Sequence, residues 1–171
     1  MKHIVFDRDG TLIAHKPYLC KPEEVVLLPY VAKGLAKLKG QGYKLYLHTN
    51  QSGVSRGYFD HKAVVACNNE MIRLINLGDD LFERICIATD YPPQEKSYRK
   101  PSPKFGLELM CQFTIATKEM FYVGDSFSDL ETAINLKCNA IGLNTGEFDL
   151  MEKSKYWEKL SIPIVHNFKE L

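Results

Sequence analysis

The chain has 171 residues, of which 45% are apolar and 25% charged, and its formal net charge is +1. This is the composition of a soluble globular protein with enough chain for its own core, and it excludes a global electrostatic field for nucleic acid or an anionic membrane. No apolar run approaches the ~20 residues needed to span a bilayer, and Met1-Lys2-His3-Ile4-Val5-Phe6 reaches an Asp too early for a signal peptide. Cysteines stand at 20, 67, 86, 111 and 138, an odd number at wide spacing with no Cys-x-x-Cys pair. They read as reduced thiols of a cytoplasmic protein, not as a disulfide framework or a structural zinc site.

In chain order, strands alternate with helices. The apolar run 2–6 predicts a strand stopping at Asp7. Val31, Leu35 and Leu38 recur at helical spacing over 30–40, with Gly42 just past the end. Residues 43–48 predict a strand stopping at Thr49, and 61–77 a longer helix with a buried stripe of Val64, Val65, Met71, Ile72 and Ile75. A third strand, 84–88, stops at Thr89 and Asp90. Ser102-Pro103 predicts the cap and first residue of a helix over 103–112. A strand over 119–123 runs into Gly124-Asp125, a helix follows at 128–136, and 139–143 is a fifth strand. Residues 147–160 are charged and weakly patterned, a surface helix or loop, and 162–166 predicts an edge strand where Pro163 is tolerable. Together they predict one α/β domain over 1–171, a Rossmann-like three-layer fold with a central parallel sheet and helices on both faces.

Ligands of open parallel sheets bind outside the carboxyl ends of the strands. The predicted strand ends carry Asp7, Thr49 and Asp125, and the loop after the third strand carries Arg99 and Lys100. Each segment has a bland reading, and the first three also have a chemical one. Asp7-Arg8-Asp9-Gly10-Thr11 is either a polar turn, or a carboxylate pair suited to a hard cation or to covalent chemistry. Thr49-Asn50-Gln51-Ser52-Gly53 is either a hydrogen-bonded loop, or a hydroxyl with backbone amides facing a phosphate. Arg99-Lys100-Pro101 is either a solvated basic pair or an anion clamp. Gly124-Asp125-Ser126-Phe127-Ser128-Asp129 reads by itself as a helix start with acids at its positive end. Four such segments together, in this order and at successive strand ends, are a poor fit to accident.

The four segments together resemble the haloacid dehalogenase superfamily: Asp-x-Asp-Gly-Thr, then Thr or Ser, then Lys, then Gly-Asp-x-x-x-Asp. More narrowly, Asp7–Thr11, Thr49–Gly57 and Arg99-Lys100-Pro101 resemble the histidinol-phosphatase and heptose-bisphosphate-phosphatase branch, which is small and lacks a large cap domain. The resemblance implies a magnesium-dependent phosphatase. Asp7 is then the nucleophile, Asp9 the acid and base, and Thr49 and Lys100 the groups that bind and stabilise the phosphoryl charge. Mg2+ would sit on Asp7, Asp9 through its main-chain carbonyl, and Asp125, with Asp129 supporting Lys100 or a metal-bound water. Asn50, Gln51, Arg56 and Arg99 are expected on the substrate side, the two arginines suiting a second anionic group as in D-glycero-D-manno-heptose 1,7-bisphosphate, with histidinol phosphate as the other candidate. Many members carry a zinc loop of Cys and His before Arg-Lys-Pro. Residues 89–98 contain neither, so no zinc is expected. The expected partner is a small phosphorylated metabolite, not nucleic acid or membrane, and a monomer is favoured. A receiver domain or an inactive phosphate-binding module is the reading from another class. A receiver has its phosphorylated Asp on a middle strand and its Lys near the chain end, whereas here the Asp pair opens the chain and Lys100 precedes Asp125.

Overall fold

A computed structural model describes residues 2–92 and 97–171. The described strands are β1 (His3–Phe6), β2 (Lys44–Asn50), β3 (Arg84–Ala88), β4 (Met120–Gly124), β5 (Asn139–Leu143) and β6 (Ile164–Val165). They form one sheet in the order β3-β2-β1-β4-β5-β6, and every pairing in it is parallel. The helices are α1 (Val31–Gly40), α2 (His61–Ile75), α3 (Lys104–Phe113), α4 (Phe127–Leu136) and the short α5 (Ser154–Lys159).

Alternation along the strands sorts the core into two layers. Ile4, Phe6, Leu45, Leu47 and Val123 pack on one face with Val31 and Leu35 of α1 and Cys67 and Met71 of α2. Val5, Tyr46 and Tyr122 pack on the other with Phe105 and Leu109 of α3 and Leu130 and Ala133 of α4. With both faces covered, the strands read as continuous apolar runs, which is why they were legible as strands. From β1 the chain builds outward to β3, then returns to the far side of β1 for β4. The crevice where the order reverses lies at the carboxyl ends of β1 and its neighbours.

Several boundaries differ from the sequence reading. β2 runs through Thr49 and Asn50 because these two still pair with Ile87 and Ala88 of β3. α2 ends at Ile75, not 77, where Asn76 turns left-handed at φ 57° and its N–H donates to the Ile72 carbonyl. Pro103 takes the cap position of α3 instead of its first turn, and the Ser102 hydroxyl accepts from Lys104 N at 3.3 Å. The segment 147–160 is more than surface: Leu150 and Trp157 are fully buried, and Trp157 Nε1 donates to the Leu150 carbonyl at 3.0 Å. Two apolar anchors in an otherwise exposed stretch leave no periodicity to read. The 10–29 segment likewise contributes Leu12, Ile13, Leu19 and Val25 to the core. All five cysteines are free thiols, Cys67 and Cys86 buried. No helix among the described residues is long and apolar enough to cross a membrane.

The two layers make a contrast that denaturation can test. Leu35 is fully buried under the sheet, whereas Leu107 on α3 is 53% exposed. Leu35→Ala is expected to cost about 2–5 kcal/mol in urea unfolding, and Leu107→Ala no more than about 0.5 kcal/mol.

Candidate active site

Asp7 follows β1 directly, and its N–H donates to the Val123 carbonyl at 2.9 Å, carrying the β1–β4 ladder one residue past the strand. Gly10, at φ +83°, turns the chain back over the sheet edge. Thr11 Oγ1 then donates to Asp125 Oδ1 at 2.9 Å, and Thr145 Oγ1 holds the Gly10 carbonyl at 2.6 Å. Asp125 follows β4 and precedes α4, at whose start Ser126 N and Oγ both donate to Asp129 Oδ2, at 3.0 and 2.7 Å. The acids are packed against backbone: a Cβ on Gly146 would overlap the Asp125 carboxylate, and one on Gly124 the carboxylate of Asp129.

Lys100 reaches this edge from the loop after β3. It is buried, and its Nζ donates to Asp7 Oδ1 and to Asp129 Oδ1, each at 2.6 Å. Its backbone is clamped to β2, with Lys100 N donating to Asn50 Oδ1 at 2.9 Å and Asn50 Nδ2 to the Lys100 carbonyl at 3.2 Å. His48 braces the same loop from below, one ring nitrogen 2.8 Å from the Tyr98 carbonyl and the other 3.2 Å from the Tyr122 hydroxyl.

Oxygens of Asp7, Asp125 and Asp129 all lie within 4.8 Å of one another. Burial pushes the Asp7 carboxyl up to about 6, against the pull of Lys100. Burial, and then the charges of Asp7 and Asp129, push Asp125 up to about 9. Burial pulls the Lys100 ammonium down, but Asp129 and Asp7 outweigh it and hold its pKa above the ordinary lysine value. Ionised together, three carboxylates would exceed the one ammonium in charge, and a divalent cation would favour that ionised state. The donor set is all oxygen, which suits a hard cation and not a soft one.

The other expected residues fall into two groups. Asp9, Asn50 and Gln51 line a cleft of about 320 Å³ next to the acids, shared with His15, Lys16 and Tyr18. Gln51 Nε2 bridges Asp9 Oδ2 at 2.9 Å and Thr49 Oγ1 at 2.8 Å, so this side chain is engaged in the architecture of the site. Arg56 and Arg99 are not among the residues lining that cleft; they gather on Tyr91, with guanidinium carbons 3.6 and 5.7 Å from the ring centroid. Burial, and then the charge of Arg56, pull the Arg99 guanidinium below its ordinary pKa. Among the described residues, its buried Nη1 has no hydrogen-bond partner. Of the segment 89–98, where the sequence predicts no zinc site, 93–96 lie outside the described residues. Sequence reasoning passed over Arg8, Asn68, His48 and Gly146. Arg8 carried a visible signal, a charge wedged between two acids at the end of a buried strand.

A family model described as polynucleotide kinase 3 phosphatase matches residues 2–140, and the chain belongs to that family. It is 29% identical over 147 residues to a D-glycero-beta-D-manno-heptose-1,7-bisphosphate 7-phosphatase of Bordetella bronchiseptica, covering 85% of this chain and 82% of that one. It is 32% identical over 136 residues to the protein of the same name from Rhodopseudomonas palustris, covering 74% of each. Among solved structures, D,D-heptose 1.7-bisphosphate phosphatase from B. bronchiseptica, complexed with magnesium and phosphate, superposes with a TM-score of 0.84. The two are 25% identical, and the match covers 98% of this chain and 94% of that one. The haloacid dehalogenase fold and the phosphatase assignment expected from the sequence are borne out by these comparisons.

The buried His48 makes a pH prediction. Burial, and then the Lys100 charge, pull its imidazole down to about 3, from 6.5 in the unfolded chain. The folded state therefore binds fewer protons, so the stability that neutral His48 contributes is whole above pH 6.5 and is lost as pH falls towards 3. Comparing wild type with His48→Gln cancels the groups common to both proteins, Asp7 among them. The wild-type advantage in urea unfolding should shrink by about 1.4 kcal/mol per pH unit below that threshold.

Proposed function

We propose that this member of the polynucleotide kinase 3 phosphatase family is a magnesium-dependent phosphomonoester hydrolase acting through an aspartyl-phosphate on Asp7. Its substrate is a small sugar bisphosphate of the D-glycero-D-manno-heptose 1,7-bisphosphate type. The observation that carries the reading is the buried Lys100 ammonium shared by Asp7 and Asp129 beside a third acid, Asp125. The relatives named as heptose-bisphosphate 7-phosphatases support the substrate class. As proposed, the chain works as a cytoplasmic monomer on a free metabolite, without nucleic acid, membrane or zinc.

In this reading the Asp7 carboxylate attacks phosphorus in line with the departing oxygen. The bond from phosphorus to that oxygen breaks, and Asp9 supplies the proton the oxygen needs. Asp9 then takes a proton from the water that cleaves the aspartyl-phosphate. Lys100 keeps Asp7 ionised against the cost of burial and faces the phosphoryl charge. Thr49, held by Gln51, offers its hydroxyl to a phosphate oxygen. The carboxylates of Asp7 and Asp125 and the main-chain carbonyl of Asp9 would hold Mg2+. When bound, the ion supplies the positive charge that lets an anionic nucleophile meet an anionic phosphate. Arg56 and Arg99 meet on Tyr91, and the Arg99 Nη1 that lacks a partner among the described residues supports a role for the pair in holding the second anionic group.

Phosphate release from a panel of sugar bisphosphates, sugar monophosphates and histidinol phosphate, with magnesium and with a chelator, tests the reading. Turnover is expected only with magnesium, and a heptose bisphosphate is expected to lead. Histidinol phosphate leading would reassign the substrate. Asp7→Asn should abolish steady-state hydrolysis while leaving the melting curve folded. Gly146→Ala, which crowds Asp125, should raise the magnesium concentration for half-maximal rate.

The arginines give a second test. A desolvated charge-assisted contact is worth roughly 1.5–3 kcal/mol, so its loss should lower kcat/KM about tenfold to a hundredfold. Arg99→Ala is expected to do this to the bisphosphate and to spare an aryl phosphate that lacks a second anion. Equal losses on both would show that Arg99 serves the transferred phosphate or the fold.

A further inference from the structure

The residue between the two motif acids has a fully buried side chain. An arginine is rarely buried to this degree without a partner for its charge. Arg8 Nε donates to Asp9 Oδ2 at 3.0 Å, and Nη2 donates to Asp9 Oδ1 at 3.1 Å, a forked grip on one carboxylate. The remaining terminal nitrogen, Nη1, donates at 2.9 Å to Oδ1 of Asn68, a buried residue in the middle of α2. On its other side the carboxylate accepts from Gln51 Nε2 at 2.9 Å. A side chain of the packed core thus runs from a rigid helix to Asp9.

The grip has a direction. Among the described residues the acid cluster consists of Asp7, Asp125 and Asp129, without Asp9. The Asp9 side chain instead keeps 20% of its surface exposed and borders the cleft shared with Asn50 and Gln51. An aspartate on a turn would otherwise turn freely about its side-chain bonds, and proton transfer requires a heavy-atom approach of about 2.6–3.2 Å. The planar guanidinium fixes both the position and the plane of the carboxyl, which a lysine ammonium would not do.

We infer that Arg8, braced by Asn68, is a positioning residue that aims the Asp9 carboxyl at the leaving-group side of the cleft. The inference rests on the proposed role of Asp9 as acid. In the step concerned, the Asp7 oxygen bonds to phosphorus, the bond from phosphorus to the leaving oxygen breaks, and that oxygen takes its proton from Asp9. An alkoxide needs that proton. A nitrophenolate departs as the anion and does not.

The test compares an alkyl phosphate with p-nitrophenyl phosphate under single turnover, with enzyme in excess, reading release of the alcohol or phenol so that only the first step counts. The quantity read is the ratio of the alkyl rate to the aryl rate. Asp9→Asn should lower this ratio about a hundredfold or more. Arg8→Met should lower it about tenfold to a hundredfold, the cost of a misaimed catalytic group. Asn68→Ala keeps the guanidinium but removes its brace, and should lower the ratio in the same direction by less. It also decides the matter if Arg8→Met does not fold. If Asp9→Asn lowers the ratio but the folded Arg8 and Asn68 variants leave it unchanged, Arg8 is only structural and the inference falls alone. If Asp9→Asn leaves the ratio unchanged, Asp9 is not the acid, and both the reading and the inference fall.

Discussion

One buried ammonium group ties the carboxyl edge of the sheet together. Lys100 Nζ lies 2.6 Å from Asp7, 93 residues away in sequence, and 2.6 Å from Asp129, 29 residues away. Taking three charges out of water costs several kcal/mol per ion, and the pairing offsets this only if the geometry is held. The Asn50 clamp and the His48 brace hold it, by fixing the backbone on either side of the lysine. Asp125, the third acid, has no such ion pair among the described residues; it accepts from the Thr11 hydroxyl. Burial and its acidic neighbours push its carboxyl up to about 9, so a further negative charge at this edge is costly unless a cation joins it. The three acids lie close enough to hold a metal ion, and the proposed reading sets the phosphate beside it.

The sheet order supplies that arrangement. β1 is central, β4 lies beside it, and Asp7 and Asp125 extend from their adjacent ends. β2, on the other side of β1, ends in Thr49 and Asn50, and the loop after β3 returns Lys100. The walls of the cleft come from short segments. Tyr18 in the 10–29 segment meets Tyr58 edge-on at 4.7 Å between ring centroids, and Gly53 leaves room for Phe59 to pack against the loop after β2. Tyr18, Gly53 and Phe59 all line the cleft, so these short segments form part of its wall.

The strands were legible because two-sided burial makes each an apolar run, and the site acids were legible because polar residues interrupt those runs at one edge. What the sequence hid was long-range partnership. Nothing local marks Trp157 as a core residue in a charged stretch, or Asn68 as the anchor of Arg8. Asn50 and Gln51 were expected on the substrate side. They do border the cleft, but their side chains also hold Lys100 and Asp9, a role that appears only once strands distant in sequence lie side by side. Arg56 and Arg99 share Tyr91. That grouping follows from where two loops meet, which periodicity does not encode.

The central claim is that the Lys100-paired carboxylate of Asp7 takes the phosphoryl group. Acid quenching of the enzyme during turnover, followed by peptide mass spectrometry, tests it most directly. The claim predicts a peptide carrying one added phosphoryl group, localised to Asp7. A phosphoryl group on any other residue, or active enzyme with no modified peptide at any quench time, would contradict it.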